Sequence, residues 1–261
     1  MRGAVQLNIL EFSLIYLLLI IVLVIMKKSK INQTKLLLIA SIRMTVQLIL
    51  AGLILTYIFE NPNPFFIFAF LLAMILFSIR RVLSKNRNIN RRFKWTIALS
   101  ITLSGIFVLV FFVLIVVGET FFNPQYTIPL AGMIIGNAMT GVTLGMKTFT
   151  DNLKTERHKI NTLLNLGVTP KKILIPYVNN ALETALMPTI NSMLGMGIIF
   201  LPGMMTGQIL SGTLPTTAIM YQIAIMIAIC TSVCLTVFCS LNFGYRTLYN
   251  KRNQIKIPGE K

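Results

Sequence analysis

Methionine and amide side chains carry the metal-ligand chemistry of this sequence, because thioether sulfur suits soft transition metals and amide oxygen suits hard cations. The soft ligands that we single out among the 14 methionines are Met193, Met204 and Met205, and the hard ligands are Asn137, Asn191 and Gln208. Methionine more often fills gaps in an apolar core, so packing is the simpler interpretation. Since no histidine or carboxylate cluster accompanies these residues, we expect weak metal binding or a chelated cargo.

The cysteines and the catalytic motifs give little further chemistry. Cys230, Cys234 and Cys239 all fall in one apolar stretch, where we expect small buried thiols rather than a disulfide or a metal site. The sequence has no HExxH or GxSxG motif. The run "GVTLGMKT" at 141 resembles a phosphate loop, but it lacks the adjacent Gly-Lys and a preceding strand. We therefore expect a transport protein that binds no cofactor itself, with an intramembrane enzyme as a distant alternative.

The elements that must position these residues are membrane helices. The chain has 261 residues, of which 55% are hydrophobic and 12% charged, and its mean hydropathy is +0.78. These values are typical of an integral membrane protein rather than a soluble domain. Uncharged apolar stretches predict an all-α protein with about seven transmembrane helices in a single transmembrane domain, 1–261. The predicted spans are about 12–26, 36–59, 64–79, 96–117, 127–146, 183–205 and 217–243.

The basic residues lie in alternate loops and predict the orientation of the chain. All 24 lysines and arginines except Arg2 and Arg43 fall in 27–35, 80–94, 147–172 or the tail after 243, which contains Arg246, Lys251, Arg252, Lys256 and Lys261. By the positive-inside rule the N-terminus is outside and the C-terminus is cytoplasmic. The net charge of +17 therefore reports topology in a lipid bilayer, and we expect no nucleic-acid partner.

The fifth predicted span is rich in glycine. Gly132 and Gly136 lie on one helix face and Gly141 lies, with Gly145, on nearly the opposite face. Small residues let neighbouring helices approach closely in a membrane, and Asn137 is costly against lipid. The helix is interpreted either as a central packed helix or as one that lines the transport pathway.

A helical cytoplasmic loop of about 147–182 follows this span. Thr150 has the chemistry of a helix N-cap, Leu163 and Leu164 belong to an apolar stripe, and Gly167 ends the helix. Thr169 and Pro170 then begin another short helix. So long a loop is unusual in this chain, and we expect it to dock a cytoplasmic partner.

Polar and charged residues within the spans are few. Arg43 and Gln47 lie in the second span, and Arg43 either pairs with Glu183 or extends to the cytoplasmic interface. After Asn191, the residues Pro202, Gly203 and Gly207 interrupt the sixth span next to Gln208. This interruption marks either a substrate path with a re-entrant segment or a plain helix end with an external loop.

Four stretches carry a resemblance that runs essentially end to end. They are "RMTVQLILAGLIL" at 43, "IPLAGMIIGNAMTGVTLGM" at 128, "LGVTPKKILIPYVNNALETALMPTINSM" at 166 and "LPGMMTGQILSG" at 201. The sequence resembles the FetB-like family of ABC-transporter permeases, which are proposed iron exporters. The resemblance implies a homodimeric subunit of the bacterial plasma membrane, served by a separate cytosolic ATPase that holds ATP and Mg. It also implies iron export and a role in iron homeostasis and oxidative-stress resistance.

Two features limit what the resemblance implies. The segment "LGVTPKKILIP" is similar to the coupling segment of ABC importers, but it lacks their EAA triplet, so an importer mechanism does not follow. An exporter of a small metabolite or another metal, and a secondary cation carrier, stay as alternatives. A secondary carrier needs intramembrane acidic residues, whereas Glu11, Glu60, Glu119 and Glu183 all lie near the ends of spans.

Overall fold

The computed structural model describes residues 8–250 and 253–256, and in these ranges the chain is helical apart from turns and two isolated β-bridges. Lys251, Arg252 and Lys261 of the basic tail lie outside the described residues. The helices are α1 (Ile9–Lys28), α2 (Thr34–Glu60), α3 (Pro64–Lys85), α4 (Arg91–Phe111), α5 (Pro124–Thr155), α6 (Arg157–Asn165), α7 (Pro170–Gly195), α8 (Gly203–Leu210) and α9 (Pro215–Gly244). A π-helical segment, Phe112–Val117, extends α4.

Five helices in the described ranges are long and apolar enough to cross a membrane. They are α2, α3, α4 with its π-helical extension, α5 and α9. The predicted sixth span, 183–205, has the wrong bounds, because α7 starts at Pro170 and ends at Gly195. The end is set by Gly197, which adopts a left-handed φ of 82°, a conformation that favours glycine and cannot continue a helix.

Asparagine caps the start of three of the long helices, and in two of them proline is the first helical residue. Asn63, Asn90 and Asn123 are the N-caps of α3, α4 and α5, and each side-chain oxygen accepts a hydrogen bond from a backbone amide of the first turn. Proline follows Asn63 and Asn123 directly, at a position where its missing N–H costs nothing. These caps position α5, which carries much of the functional surface.

The core is a bundle of α3, α4, α5, α7 and α9. On α5, the Gly141 face packs against α9 so closely that an added Cβ would lie 2.6 Å from Val233 Cγ1. A Cβ added at Gly145 would be similarly close to α7 and α9, 3.3 Å from Ala181 O and 3.2 Å from Val237 Cγ1. Close approach of this kind lets apolar helices associate in hydrocarbon, where the hydrophobic effect does not drive them together.

The other glycine face of α5 is open in the single chain. A Cβ at Gly132 would touch only Met74, at 3.5 Å, and one at Gly136 would meet nothing within 4 Å. The two faces of α5 therefore differ: the Gly141 and Gly145 face holds the bundle together, and the Gly136 face is available to something outside it.

The α1–α2 hairpin lies at the side of the bundle. Tyr16 and Thr45 join the two helices through a 2.5 Å hydrogen bond. The Arg43 guanidinium lies 5.6 Å from the centre of the Phe77 ring on α3, an attractive cation–π arrangement. The proposed pair with Glu183 is absent from the described residues, because Arg43 is held by Phe77 and Glu183 is exposed elsewhere on α7.

The connection between α5 and α7 is shorter than the predicted loop of 147–182. The interpretation of Thr150 as an N-cap is wrong, because 147–155 contains no glycine or proline and α5 simply continues to Thr155. Only α6 and its flanking turns connect α5 to α7. At the start of α6 an ion pair of 3.1 Å joins Glu156 to Lys159, and its hydrogen bond raises the pKa of Lys159.

Candidate functional site

A cavity of about 290 Å³ lies between α5, α7 and α9, next to the chain that joins α7 to α8. Its polar lining residues are Asn137, Thr140, Thr189, Ser192 and Gln222, and the methionines in its wall are Met133, Met196, Met204 and Met226. No charged side chain lines it. We call this space the central cavity.

The helix break after α7 forms one wall of the central cavity. Pro188 has no amide proton and so leaves the carbonyl of Thr184 without its usual helical partner. Beyond Gly195 the backbone of Met196 bridges to Phe200, and Pro202 directs the chain into α8. Non-helical backbone at membrane depth is tolerated where protein or a water-filled cavity surrounds it.

Gln222 on α9 is the most unusual residue of the cavity. Its side chain is only 6% exposed, and its Nε2 donates a hydrogen bond to the Met196 sulfur at 3.7 Å. Its carbonyl oxygen is buried without a hydrogen-bond partner. A buried acceptor without a hydrogen-bond partner costs about 1–3 kcal/mol of stability. This oxygen is therefore available to bind a ligand in the cavity.

Three other polar side chains of the cavity donate to the backbone of their own helices. Asn137 donates from its amide to Met133 O at 2.8 Å, Thr140 donates to Gly136 O at 3.0 Å, and Ser192 donates to Pro188 O at 2.9 Å. The hydroxyl protons of Thr140 and Ser192 and one amide proton of Asn137 are thus occupied by their own helices, whereas the oxygen lone pairs and the second amide proton of Asn137 stay free. The hydroxyl of Thr189 can turn either its proton or its lone pairs inward.

One edge of the cavity presents hydrogen-bond donors rather than acceptors. The first residues of α8, Gly203 and Met204, line it, and α8 has no side-chain cap at its start. The first amide groups of such a helix lack intrahelical acceptors and carry partial positive charge. The central cavity therefore joins an acceptor-rich wall of oxygen and sulfur atoms to an edge of backbone donors.

The structure brings together only some of the residues singled out in the sequence. Asn137, Gly141 and Met204 line the central cavity. Other candidates lie away from it, among them Asn191, Gln208, Glu183, Met193, Met205, Gly132 and Gly136. Arg43 and Gln47 face a separate groove between α2 and α3. In the described residues no group of three or more histidine, cysteine, aspartate or glutamate side chains is placed to hold a metal ion.

Sequence reasoning missed Gln222 and Thr189. Gln222 is the single amide in the apolar run "YQIAIMIAIC". Because a strongly polar residue at membrane depth is expensive unless it serves a purpose, its isolation was a usable signal. Thr189 gave no such signal, since threonine is common in packed membrane helices.

A second candidate surface lies at the turn between α6 and α7. Leu163 and Leu164 are half-buried against the core, whereas Leu166 is 74% exposed at the tip. Gly167 has a left-handed φ of 79°, Thr169 is the N-cap of α7 without a capping side-chain bond, and Pro170 is its buried first residue. An exposed leucine on a rigid turn is suited to insertion into a partner's groove.

Comparison with known proteins identifies a family and several relatives that are similar to this chain. The model of the uncharacterised protein family UPF0014 matches residues 9–249. The UPF0014 membrane protein YjkA of Bacillus subtilis is 30% identical over 247 residues, which cover 95% of this chain and 98% of that protein. The probable iron export permease protein FetB of Escherichia coli is 31% identical over 252 residues, covering 95% and 94%.

Plant proteins are also similar. The protein ALUMINUM SENSITIVE 3 of Arabidopsis thaliana is 36% identical over 184 residues, covering 70% of this chain and 66% of its own length. No solved structure matches the chain.

Proposed function

This chain belongs to the UPF0014 family of membrane proteins, and on that premise we propose that it is the permease subunit of an ATP-driven iron exporter. The similarity to a protein named as a probable iron export permease, over 95% of this chain, carries the proposal. ATP and Mg belong to a separate cytosolic ATPase in this proposal, and the chain itself is a transport subunit and not an enzyme.

In the proposed topology seven helices cross the bacterial plasma membrane. To the five apolar helices we add α1, which has 20 residues, and α7, which has 26 and is more polar because it lines the central cavity. The alternating basic loops then put the N-terminus outside and α6 with the C-terminus in the cytoplasm. The central cavity falls between the membrane centre and the outer side.

The transport cycle would connect the two candidate surfaces through α7. ATP binding closes the ATPase dimer against the turn around Leu166, and α7 carries this motion to Pro188 and the wall of the central cavity. The cavity thereby switches from inward access to outward access. Its lack of carboxylates and its mixed acceptor and donor edges favour a chelated iron cargo over a bare Fe²⁺ ion.

We propose a homodimer because α5 exposes polar surface at membrane depth. Asn137 and Thr140 are exposed in the single chain, and the space at Gly136 is open. Exposed amide and hydroxyl groups are costly against lipid, so a second copy would cover them and complete the pathway.

The test is ATP-dependent uptake of radioactive iron into inverted vesicles that contain this chain and its ATPase. Uptake of iron, as free Fe²⁺ or as a carboxylate chelate, is the expected result, and it should cease without ATP. ATP-driven uptake of an organic solute with no iron uptake would identify a metabolite exporter. Uptake driven by an ion gradient without the ATPase would identify a secondary carrier.

A further inference from the structure

A second cavity, of about 370 Å³, lies at the basic end of the bundle. It is bounded by the connection between α3 and α4 on one side and by the second half of α5 on the other. The charged side chains that line it are Lys85, Arg87, Lys147, Lys154 and Asp151. We call this space the basic cavity, and nothing in the proposed transport cycle uses it.

The cations of the basic cavity come from two separate elements. Lys85 and Arg87 belong to the end of α3 and the following turn, whereas Lys147 and Lys154 are two turns apart on α5. Like charges that the fold gathers around one cavity repel each other. An anion bound between them would replace this repulsion with attraction.

Within the described ranges, 8–250 and 253–256, the chain does not neutralise these charges with ion pairs. In the part of the chain that the structure describes, no ion pair involves any of the four cations or Asp151. The excess over the single carboxylate is three positive charges. The carboxyl end of α3 contributes partial negative charge next to Lys85, which is too small to offset three full charges.

A polar atom in the wall supports a ligand. Thr150 Oγ1 is buried and has no hydrogen-bond partner, although the hydroxyl of Thr143 in the same wall donates to Met139 O at 2.8 Å. A free hydroxyl beside ammonium and guanidinium groups is the combination that binds phosphate oxygens in proteins. The surface charge of a membrane protein alone does not require such a buried hydroxyl.

The position of the cavity fits a phosphate at the membrane surface. The 32 residues of α5 span about 48 Å at 1.5 Å per residue, which exceeds the ~30 Å of hydrocarbon. The turns of α5 beyond Gly145 therefore reach the level of lipid headgroups, together with the end of α3. We propose that the basic cavity binds a phosphate-bearing anion, supplied by the headgroup of an anionic phospholipid or by free phosphate.

The experiment measures thermal stabilisation of the purified full chain by two probes. Inorganic phosphate is titrated into detergent-solubilised protein against chloride at equal ionic strength. Separately, nanodiscs containing increasing phosphatidylglycerol in phosphatidylcholine replace the detergent. Saturable stabilisation by phosphate identifies a free anion, and stabilisation by phosphatidylglycerol alone identifies a lipid headgroup.

Charge-matched variants separate a site from diffuse surface charge. Lys147→Gln with Lys154→Gln should weaken the effective probe by about tenfold or more, since each basic residue near a phosphate surface contributes about 1 kcal/mol. Lys171→Gln with Lys172→Gln removes the same charge from the exposed start of α7, outside the basic cavity, and should change affinity by less than about twofold. Asp151→Asn should tighten binding, a gain that misfolding cannot produce.

Two results would overturn the proposal. One is the absence of saturable stabilisation by either probe. The other is an equal loss of affinity in both double-lysine variants, which would show that the positive surface as a whole attracts the anion.

Discussion

Gln222 is a side chain that lowers the stability of the fold and is suited to bind a ligand. Its buried carbonyl oxygen has no partner, so the folded chain bears a desolvation cost that a cargo or a bound water would relieve. Strain or unmet polar groups of this kind concentrate at functional sites. We interpret Gln222 as the residue that contacts the cargo in the central cavity.

Gln222→Met tests this interpretation, because methionine matches the length of glutamine without its polar atoms. We expect the free energy of unfolding to rise by about 1 kcal/mol. We expect ATP-dependent iron uptake to fall by at least about tenfold, because the loss of one hydrogen bond to a charged group has an effect of that size. Gln208→Met is the matched control, since Gln208 on α8 also buries an unpaired oxygen but lies outside the cavity. It should gain stability and keep transport; equal transport in both variants would exclude a cargo role for Gln222.

At the scale of the helix, α5 has one face that holds the bundle and one that is open. Gly141→Ala places a Cβ 2.6 Å from Val233 Cγ1, and we expect it to lower stability by about 1–3 kcal/mol through overpacking against α9. Gly136→Ala meets no atom of its own chain within 4 Å, so the fold of the single chain should be unchanged or slightly stabilised, since alanine favours helix. Thermal unfolding of both variants in detergent measures the difference, and equal destabilisation would contradict it.

The turn between α6 and α7 predicts which leucine contacts the ATPase and which one supports folding. Leu166→Asp changes an exposed side chain, so it should leave folding intact while reducing co-purification of the ATPase. Leu163→Asp places a charge against the core and should lower the yield of folded protein as well. Co-purification and detergent stability are measured together; a Leu166→Asp variant that binds the ATPase normally would move the docking surface elsewhere.

Helix identity was largely predictable from sequence, whereas helix bounds and contacts were not. Uncharged apolar runs predicted α2, α3, α4, α5 and α9, because the length of hydrocarbon to be crossed dictates the length of each run. The sixth span was misplaced because α7 starts at Pro170, in a polar segment, and ends at Gly195, so the apolar residues that follow lie outside the helix.

The candidate site was predictable only in part for a related reason. Asn137 and Met204 were predicted from their residue types and from the nearby helix breaks. Polar groups at membrane depth are costly and therefore indicate functional sites. Which residues meet across helices depends on the rotation of each helix. For that reason the open side of Gly136 and the pairing of Gln222 with Met196 were visible only in three dimensions.

For the whole molecule, the alternating basic loops predict where each end of the chain lies. A reporter fused after residue 250 should be active in the cytoplasm, and one inserted at 119–122, between α4 and α5, should be external. Because α5, α7 and α9 separate the two reporters, α7 must cross for this to hold. With the N-terminus outside, an external C-terminal reporter would mean an even number of spans. It would also put the Leu166 turn out of reach of a cytosolic ATPase.

The proposed homodimer predicts that α5 of one copy faces α5 or α7 of the other. With Cys230, Cys234 and Cys239 replaced by serine, Asn137→Cys should form cross-linked dimers with a short bifunctional maleimide in native membranes. The reason is that its exposed amide would otherwise face hydrocarbon at a cost of several kcal/mol. Leu103→Cys on α4 is the control, because Leu103 is similarly exposed but apolar and at no cost against lipid. Cross-linking at Leu103 and none at Asn137 would place α4 at the dimer interface and leave the central cavity to be closed by the single chain.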